Sequence, residues 1–292
     1  MVGSLHVDAN CTTPRFIPVG HPIMTANQSV ARHFKNILLE QGGCHATITL
    51  NRPDKRNPLD WDTVKELREA VTTLHSVRGL MTVVITGSGD AFSAGGDLEK
   101  YISLFQSPVD FKGFMEDFYQ LFRAIETSAA VYIAVVNGVC VAGGLEILLA
   151  CDIVIAAEDA RIGDGHLNFG QLPGAGSSIR LWRSIGAHRA KYLMFTGDLL
   201  SAREAERLGL VNEVHPKDAL RDAVQRLLAK IHAKSPAGIR GAKHLLNTAI
   251  RDDLESGLRK EIDYVLTYAT TQPDAQEGLA AFKEKRKPRF QE

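Results

Sequence analysis

Residues 131–157, VYIAVVNGVCVAGGLEILLACDIVIAA, decide the fold of this 292-residue chain. Residues 131–136 form an apolar run that predicts a buried strand, and Asn137-Gly138 predicts the turn after it. Residues 145–150 are typical of a short buried helix, and the run at 152–157 predicts a second strand. A strand, a helix and a strand in this order indicate an α/β core with parallel strands.

Two glycines, Gly143 and Gly144, fall where the predicted helix begins. Because they lack side chains, a ligand can approach the unpaired backbone N–H groups at the positive end of the helix dipole. The sequence therefore predicts a site for an anion or a developing oxyanion, with the carboxylate of Glu146 beside it. The alternative, a membrane-spanning segment, would place Glu146 and Asp152 in lipid at a high cost.

The composition is that of an ordinary globular protein that folds without disulfides, since 45% of the residues are apolar and 23% are charged. The 34 basic and 34 acidic residues cancel, so no overall field attracts nucleic acid or an anionic membrane. The ten histidines and the cysteines match no metal-ligand spacing; the cysteines are Cys11, Cys44, Cys140 and Cys151. We therefore expect no metal, no membrane attachment and a reducing compartment, the cytoplasm.

Three regions follow one another along the chain. Residues 1–33 lack periodicity and the pattern of a secretory signal, so we expect a mobile leader. Residues 34–218 carry the alternating patterns of the α/β core, and residues 219–292 are nearly all helical, with apolar faces that predict contact with the core or another subunit. The predicted strands are 37–39, 46–50, 81–86, 131–136, 152–157 and 210–214. The predicted helices are 64–74, 114–125, 144–150, one opened by the capping box of Ser201 and Glu204, 219–234, 236–250, 254–271 and 277–285.

Two glycine-rich turns each follow a predicted strand: residues 87–98, GSGDAFSAGGDL, and residues 141–146, VAGGLE. Such turns lie at the edge of the sheet where α/β folds bind ligands. If the turns are neighbours, their N–H groups can converge on one oxygen and stabilise an enolate or a tetrahedral oxyanion. Neither turn has the pattern of a dinucleotide, serine hydrolase or P-loop site. Glycines after strands are also ordinary turns, so the spacing alone leaves both interpretations open.

Six further segments carry a combined pattern: NRPDKRNPLD, AFSAGGDL, AVVNGVCVAGGLEILLACDIVIAAEDARIG, LPGAGSSIRL, FTGDLLSAREAERLGLVNEV and AFKEKRKPRF. In this order they resemble the enoyl-CoA hydratase/isomerase (crotonase) family over residues from about 36 to 290. The resemblance implies an α/β fold with a crotonase-like ββα superhelix core and a C-terminal helical region for oligomerisation. It also implies a homotrimer or a dimer of trimers, and an acyl-CoA substrate with no other tightly bound cofactor.

The resemblance further implies where the CoA ester binds. The thioester carbonyl would lie between the backbone N–H groups of Gly96 and Gly143, and the reaction would pass through an enolate held there. CoA would contact the loop after the second strand and the C-terminal F-x-x-K, the latter often across a subunit boundary. The implied positions are Lys55 and Arg56 for the phosphates, Asn57 and Leu59 for adenine, Ala94, Asp97 and Leu98 along the groove, and Phe282 and Lys285 at the adenine end. For residues 283–289 a solvated basic tail is the alternative.

The acid and base implied by the resemblance are only partly present. Hydratases of this family place two glutamates around C2 and C3 of the substrate, and Glu146 matches the first. Where the second should stand, the chain reads Gly163-Asp164-Gly165-His166. An imidazole can give or take a proton near neutrality, so Glu146 activating water and His166 acting as acid at C2 could still hydrate an enoyl thioester. Asp164 is a third candidate acid.

Several reactions stay open on these residues. We expect 2-enoyl-CoA hydration first, and the Glu146/His166 pair also suits double-bond isomerisation, hydrolysis of a thioester or C–C bond, and decarboxylation. In one alternative, His166 is only a loop residue and Glu146 works alone; in another, Glu146 is only a capping or salt-bridged carboxylate at the start of the helix. A different class is a non-catalytic CoA-thioester-binding or RNA-binding protein, although the neutral charge and the lack of an aromatic stacking platform oppose RNA. Residues 120–124 and the LPGAGSS loop are expected to line the acyl tunnel.

Overall fold

The structure is a computed structural model that describes residues 24–25 and 30–291, so most of the predicted mobile leader, with Cys11, lies outside the described residues. Within them the strands β1 to β13 are Met24–Thr25, Val30–His33, Ile37–Gly42, His45–Leu50, Val77–Arg78, Thr82–Gly87, Ala91–Ser93, Val131–Val136, Val139–Val141, Ile153–Ala157, Arg161–Gly163, Leu200–Ser201 and Glu213–His215. The helices α1 to α11 are Trp61–His75, Leu98–Leu104, Pro108–Thr127, Gly143–Ala150, Ser177–Ile185, Ala187–Thr196, Ala202–Arg207, Leu220–His232, Pro236–Ala249, Leu254–Thr271 and Pro273–Lys283. Short 3-10 helices lie at Pro53–Lys55, His166–Phe169 and Lys217–Ala219.

A seven-stranded sheet forms the base of the core in the order β13-β10-β8-β6-β4-β3-β2. Within this sheet, the neighbouring strands β13, β10, β8, β6 and β4 pair in parallel. Strands β4, β3 and β2 form an antiparallel meander at its other end. All six residues of β8 are buried, as expected for a strand that is covered on both faces by helices. The parallel α/β core predicted from residues 131–157 is therefore confirmed.

A second, four-stranded sheet in the order β12-β11-β9-β7 gives the fold its repeat. A short strand of this sheet follows each of three strands of the large sheet: β7 follows β6, β9 follows β8, and β11 follows β10. After β7 and β9 the chain enters a helix, so these repeats read strand, strand, helix. This is the expected ββα architecture.

The short strands are the elements that sequence patterns missed. Each of β7, β9 and β11 has three residues and lies beside glycines, which is too short to show an alternating pattern. Helices α2, α5 and α6 were also not predicted. By contrast, the capping box of Ser201 and Glu204 is confirmed at the start of α7, and α10 begins and ends at the predicted residues.

Several boundaries differ from the prediction: the last strand is Glu213–His215 rather than 210–214, and α3 begins at Pro108 rather than at residue 114. Val30–His33 pairs with β3 at the edge of the large sheet, so regular structure begins before residue 34, and Met24–Thr25 pairs with β5. An edge strand is held by backbone hydrogen bonds and needs no apolar pattern, so sequence patterns did not show it. The last helix starts at Pro273 rather than at residue 277, because proline suits the first turn of a helix.

The C-terminal helices are joined to the core through a buried lysine. Lys243 of α9 is 8% exposed, and its ammonium lies 2.7 Å from the Asp152 carboxylate. It also donates hydrogen bonds to the carbonyl oxygens of Ile125 and Ala130, at 3.1 and 2.8 Å. A buried ammonium needs such partners, so this contact fixes where α9 docks. Among the helices of the described residues, none has the length and apolarity needed to span a bilayer.

Candidate active site

The candidate site forms where three neighbouring strands of the second sheet end. Strands β7 and β11 each pair in parallel with β9, and Gly163 at the end of β11 is level with Val141 at the end of β9. Because the strands are parallel, the segments that follow them emerge at the same edge. The topology thus brings together the turn with Gly96, the turn with Gly143 and the segment from Asp164 to His166.

A single cavity of about 190 Å³ lies over this edge. Its wall includes the four residues predicted to carry the chemistry, which are Gly96, Gly143, Glu146 and His166. Ala94 and Leu98, predicted along the CoA groove, also line it. Glycine turns that are distant in sequence, the carboxylate and the imidazole therefore face one enclosed space.

The two glycine turns pack directly against each other, and this contact explains their composition. Gly95 has a φ of +93°, and a Cβ there would come within 2.8 Å of the Ala142 side chain. Ala142 itself adopts φ 52° and ψ −115°, a conformation that non-glycine residues rarely adopt. A Cβ on Gly143 would come within 2.9 Å of Leu59. Such strained backbone is typical of functional turns that the surrounding structure holds in place.

The loop after β4 holds the first turn from behind. The N–H of Leu59 donates to the carbonyl of Gly95 at 2.8 Å, and Leu59 forms an isolated bridge with Gly96. Arg52 lies 2.8 Å from the carboxylate of Asp60 and 3.3 Å from that of Asp97, which cap α1 and α2. The first turn is thereby fixed to two helix N-termini.

Glu146 lies in the first turn of α4 and is 3% exposed. Its Oε1 accepts the backbone N–H groups of Ala175 and Ser177, at 2.9 and 3.0 Å. Among the described residues Oε2 has no hydrogen-bond partner, so this oxygen is available to a molecule in the cavity. Burial raises the pKa of Glu146, and the nearby charge of His166 and the two N–H donors only partly oppose that shift. A carboxylate with a raised pKa in a cavity suits a general base.

His166 follows β11, and its side chain is 14% exposed. Its Nδ1 lies 3.0 Å from Oδ1 of Asp164, which leaves Nε2 for a ligand in the cavity. Burial lowers the pKa of His166, but the hydrogen bond that His166 donates to Asp164 and the charges of Asp164 and Glu146 outweigh it, and the net shift is upward. The imidazole is therefore favoured in its protonated, proton-donating form.

Asp164 is fully buried and does not line the cavity in the described structure. Burial alone would raise its pKa, but hydrogen bonds from His166 and from the Ser177 hydroxyl lower it overall. Asp164 is thus a carboxylate held ionised behind His166. The expectation of a third candidate acid is wrong, because the side chain is committed to two protein partners.

The predicted CoA-binding residues outside the cavity differ in exposure. Lys55, Arg56, Phe282 and Lys285 are exposed. By contrast, Asn57 is buried, and its amide donates to the carbonyls of Ser88 and Ala91, so its side chain is structural.

Leu59 and Asp97 are buried as well, and both are engaged within the protein as described above. None of these residues, exposed or buried, is part of the cavity wall formed by the described residues.

The apolar part of the cavity contains residues that sequence reasoning missed. Predicted residues 120–124 do not line it; the wall is formed one to two turns earlier in α3 by Phe111, Met115 and Phe118. The error arises because Leu121 and Phe122, farther along the same helix, are fully buried in the core. In the LPGAGSS loop the expectation holds for Leu172, Gly174 and Ala175. The remaining apolar and aromatic lining comes from Tyr101, Phe105, Val141, Ala142 and Phe169.

A helical spacing of aromatic residues from Phe111 to Phe122 was the available signal for this wall, since every third or fourth residue shares one face. No comparable sequence pattern identified Ser177 as part of the site.

Within residues 24–25 and 30–291, no group of three or more His, Cys, Asp or Glu side chains is placed to hold a metal ion.

Comparison with known proteins adds an independent observation. A family model described as enoyl-CoA hydratase/isomerase matches residues 40–292. The chain is 36% identical over 259 residues to a crotonyl-CoA hydratase of Syntrophomonas wolfei, covering 88% of this chain and 98% of that protein. It is 33% identical to a short-chain-enoyl-CoA hydratase of Clostridium acetobutylicum, covering 86% and 96%. The crystal structure of an enoyl-CoA hydratase from Bacillus anthracis superposes with a TM-score of 0.82 at 34% identity, covering 88% and 99%.

Proposed function

Because the chain belongs to the enoyl-CoA hydratase/isomerase family, we propose that it adds water across the C2–C3 double bond of a 2-enoyl-CoA thioester. The observation that carries this proposal is that Gly96, Gly143, Glu146 and His166 line one cavity. The names of two relatives, a crotonyl-CoA hydratase and a short-chain-enoyl-CoA hydratase, support it.

The first element of the mechanism is the pair of glycine turns. The N–H groups of Gly96 and Gly143 would donate to the thioester oxygen of the substrate. When water adds at C3, negative charge develops on this oxygen as the enolate forms. Preformed donors stabilise the charged oxygen of the enolate more than the neutral carbonyl oxygen of the substrate. They therefore lower the activation barrier and not only the dissociation constant of the substrate.

The second element is the pair of proton-transfer groups. Oε2 of Glu146 removes a proton from water as the oxygen attacks C3, and the electron pair of the double bond moves to the enolate. Nε2 of His166 then gives its proton to C2, which yields the 3-hydroxyacyl-CoA. Glu146 is left protonated and His166 neutral, and exchange with solvent restores both. The raised pKa of His166 favours the charged imidazole, and the raised pKa of Glu146 makes its carboxylate, once ionised, a stronger base toward water.

CoA enters this proposal only as part of the substrate. Its phosphates would lie near Lys55 and Arg56, and its adenine near Asn57, Leu59, Phe282 and Lys285. The exposed cations Lys55 and Arg56 fit these phosphate oxygens, and the exposed Lys285 fits the ribose phosphate at the adenine end, because all three side chains can reach a ligand in solvent.

We also propose that the chain is a homo-oligomer, a trimer or a dimer of trimers. The support is the apolar surface of α10, where large side chains are 48–80% exposed: Leu254, Leu258, Ile262, Val265 and Leu266. A continuous apolar stripe of this kind is expected to be covered by another protein surface.

The cytoplasm is the proposed location. Cys140 in β9 is buried, Cys151 at the end of α4 is partly buried, and burial raises the pKa of both thiols. Protonated, enclosed thiols fit a reducing compartment.

The mass of the product tests the proposed reaction directly. The enzyme is incubated with crotonyl-CoA, with a longer straight-chain 2-enoyl-CoA and with an aromatic 2-enoyl-CoA, and the products are analysed by mass spectrometry. A gain of one water supports hydration. An unchanged mass with a moved double bond, a free acid, or a loss of carbon dioxide from a β-carboxylated analogue would overturn it in favour of the isomerase, hydrolase or decarboxylase alternative.

A matched variant sharpens this test. His166→Glu restores the pair of glutamates that hydratases of this family use. If hydration is the natural reaction, we expect no large gain in crotonyl-CoA hydration, because His166 already supplies the proton. A large gain would indicate that the wild-type site serves a different reaction.

A further inference from the structure

Ser177 makes two hydrogen bonds that point in different directions from the start of α5. Its backbone N–H donates to Oε1 of Glu146 at 3.0 Å, and its hydroxyl donates to Oδ2 of Asp164. The other oxygen of Asp164 accepts from Nδ1 of His166 at 3.0 Å. The proposed base and the proposed acid are therefore linked through one residue.

The position of Ser177 suits such a link because it is rigid. The residue is fully buried, and α5 is anchored in the core by Leu181 and Ile185. The preceding Gly176 has a φ of +113°, so the chain turns sharply into the helix. The first N–H groups of a helix have no intrahelical acceptor, which frees the N–H of Ser177 for Glu146.

The hydroxyl has a more specific role than the N–H. Any residue except proline could supply the backbone N–H, but it is the hydroxyl of the Ser177 side chain that holds the second oxygen of Asp164. A carboxylate with both oxygens bonded cannot rotate. The Asp164 carboxylate therefore presents a fixed acceptor to Nδ1 of His166, which keeps the imidazole ring in the orientation that points Nε2 toward the cavity.

We propose that the Ser177 hydroxyl is a positioning residue for proton transfer by His166 and acts through Asp164. The inference rests on the proposed function, because it takes His166 as the proton donor at C2. The hydroxyl makes no contact with substrate in this account. Its loss should lower the rate of the chemical step and leave CoA-ester binding unchanged.

The test is a double-mutant cycle of Ser177→Ala and His166→Ala, with steady-state kinetics on the enoyl-CoA that the mass analysis identifies. Ser178→Ala is the matched control, since Ser178 is exposed in the same first turn of α5. Misplacing a catalytic group by about 1 Å costs roughly 100-fold in rate, so we expect Ser177→Ala to lower kcat by about 10- to 100-fold with KM nearly unchanged. Ser178→Ala should keep the wild-type kcat.

The second arm of the cycle separates positioning from a general structural role. Once His166 is removed, the orientation of the ring no longer matters, so adding Ser177→Ala to His166→Ala should change kcat by less than about threefold. The inference is overturned if Ser177→Ala alone has the wild-type kcat, if only KM changes, or if the two losses multiply. A wild-type kcat in His166→Ala would instead overturn the acid role in the proposed function, and this inference with it.

Discussion

The two ends of the predicted CoA-ester site are built in different ways. At the reacting end, Gly96, Gly143, Glu146 and His166 come from three segments of the chain and line one enclosed cavity. At the nucleotide end, Lys55, Arg56, Phe282 and Lys285 are exposed side chains outside that cavity. The first end depends on the register of neighbouring strands, whereas the second depends on surface groups.

This difference predicts different consequences of mutation. A change at the reacting end alters groups that act on the transition state, so it should lower kcat. A change at the nucleotide end removes a contact that the ground state and the transition state share, so it should raise KM alone.

Glu146→Gln should have the largest effect, because the amide keeps the shape of the side chain but cannot accept a proton from water. We expect kcat to fall by about 100- to 10,000-fold, the usual contribution of a general base. Binding of the CoA ester, measured by calorimetry, should change little. Glu99→Gln is the matched control, since Glu99 lies in the first turn of α2 and is exposed. A fully active Glu146→Gln variant would remove this residue from the mechanism.

Gly96→Ala should have the next largest effect. A Cβ at this position would overlap the ring and hydroxyl of Tyr101, so the turn or the ring must move. A displacement of the N–H donor by about 1 Å is expected to cost roughly 100-fold in kcat. Gly257→Ala is the control, since nothing lies within 4 Å of a Cβ at that position. An unchanged kcat in Gly96→Ala would argue against an oxyanion donor in this turn.

The pH profile of kcat/KM should be bell-shaped, with limbs set by the proposed base and acid. Activity is lost at low pH as Glu146 is protonated, and because burial raises its pKa, this limb lies above the ordinary carboxyl range. Activity is lost at high pH as His166 loses its proton, and Asp164 and Glu146 place this limb above the ordinary imidazole value.

Asp164→Asn tests the alkaline limb. The variant removes a negative charge that raises the pKa of His166, so the imidazole should lose its proton at lower pH. We therefore expect the alkaline limb to move to lower pH, measured from initial rates across the pH range with circular dichroism to check folding. An alkaline limb that stays in place in a folded variant would exclude His166 as its source.

Lys285→Ala should have the smallest effect. An exposed ion pair contributes about 0.2–1 kcal/mol, so we expect KM to rise by no more than about fivefold with kcat unchanged. The increase should shrink at high salt, because exposed charges are screened. Lys283→Ala is the control from the same basic segment. Equal effects of both variants would favour a general basic tail over a specific phosphate contact.

The parts of the fold that rest on long apolar runs could be predicted from the sequence. The run at 131–136 gives β8, and the two glycines after it do open α4. The second sheet could not be predicted in this way, because β7, β9 and β11 have three residues each and are recognised only by their pairing. Yet this sheet is what brings Gly96, Gly143 and His166 to one edge.

The functional site, like the fold, could be predicted only in part from the sequence. Glu146 and His166 could be named from a family resemblance, but the commitment of Asp164 to His166 and Ser177 depends on how the loop before α5 folds back. Likewise, the aromatic wall could be assigned to α3 but not to the correct turns, since Phe118 and Phe122 lie four residues apart and only the former lines the cavity. Which turn of a buried helix reaches a ligand is set by tertiary packing.

In the proposed mechanism, two turns from separate repeats hold a single thioester oxygen beside Glu146. A crystal structure of Glu146→Gln with a bound 2-enoyl-CoA tests this arrangement, because turnover in this variant is too slow to consume the ligand. We expect the thioester oxygen within hydrogen-bond distance of both the Gly96 and Gly143 nitrogens, with C3 facing the side chain of residue 146. A thioester oxygen bonded to neither nitrogen, or an acyl group outside the cavity, would contradict it.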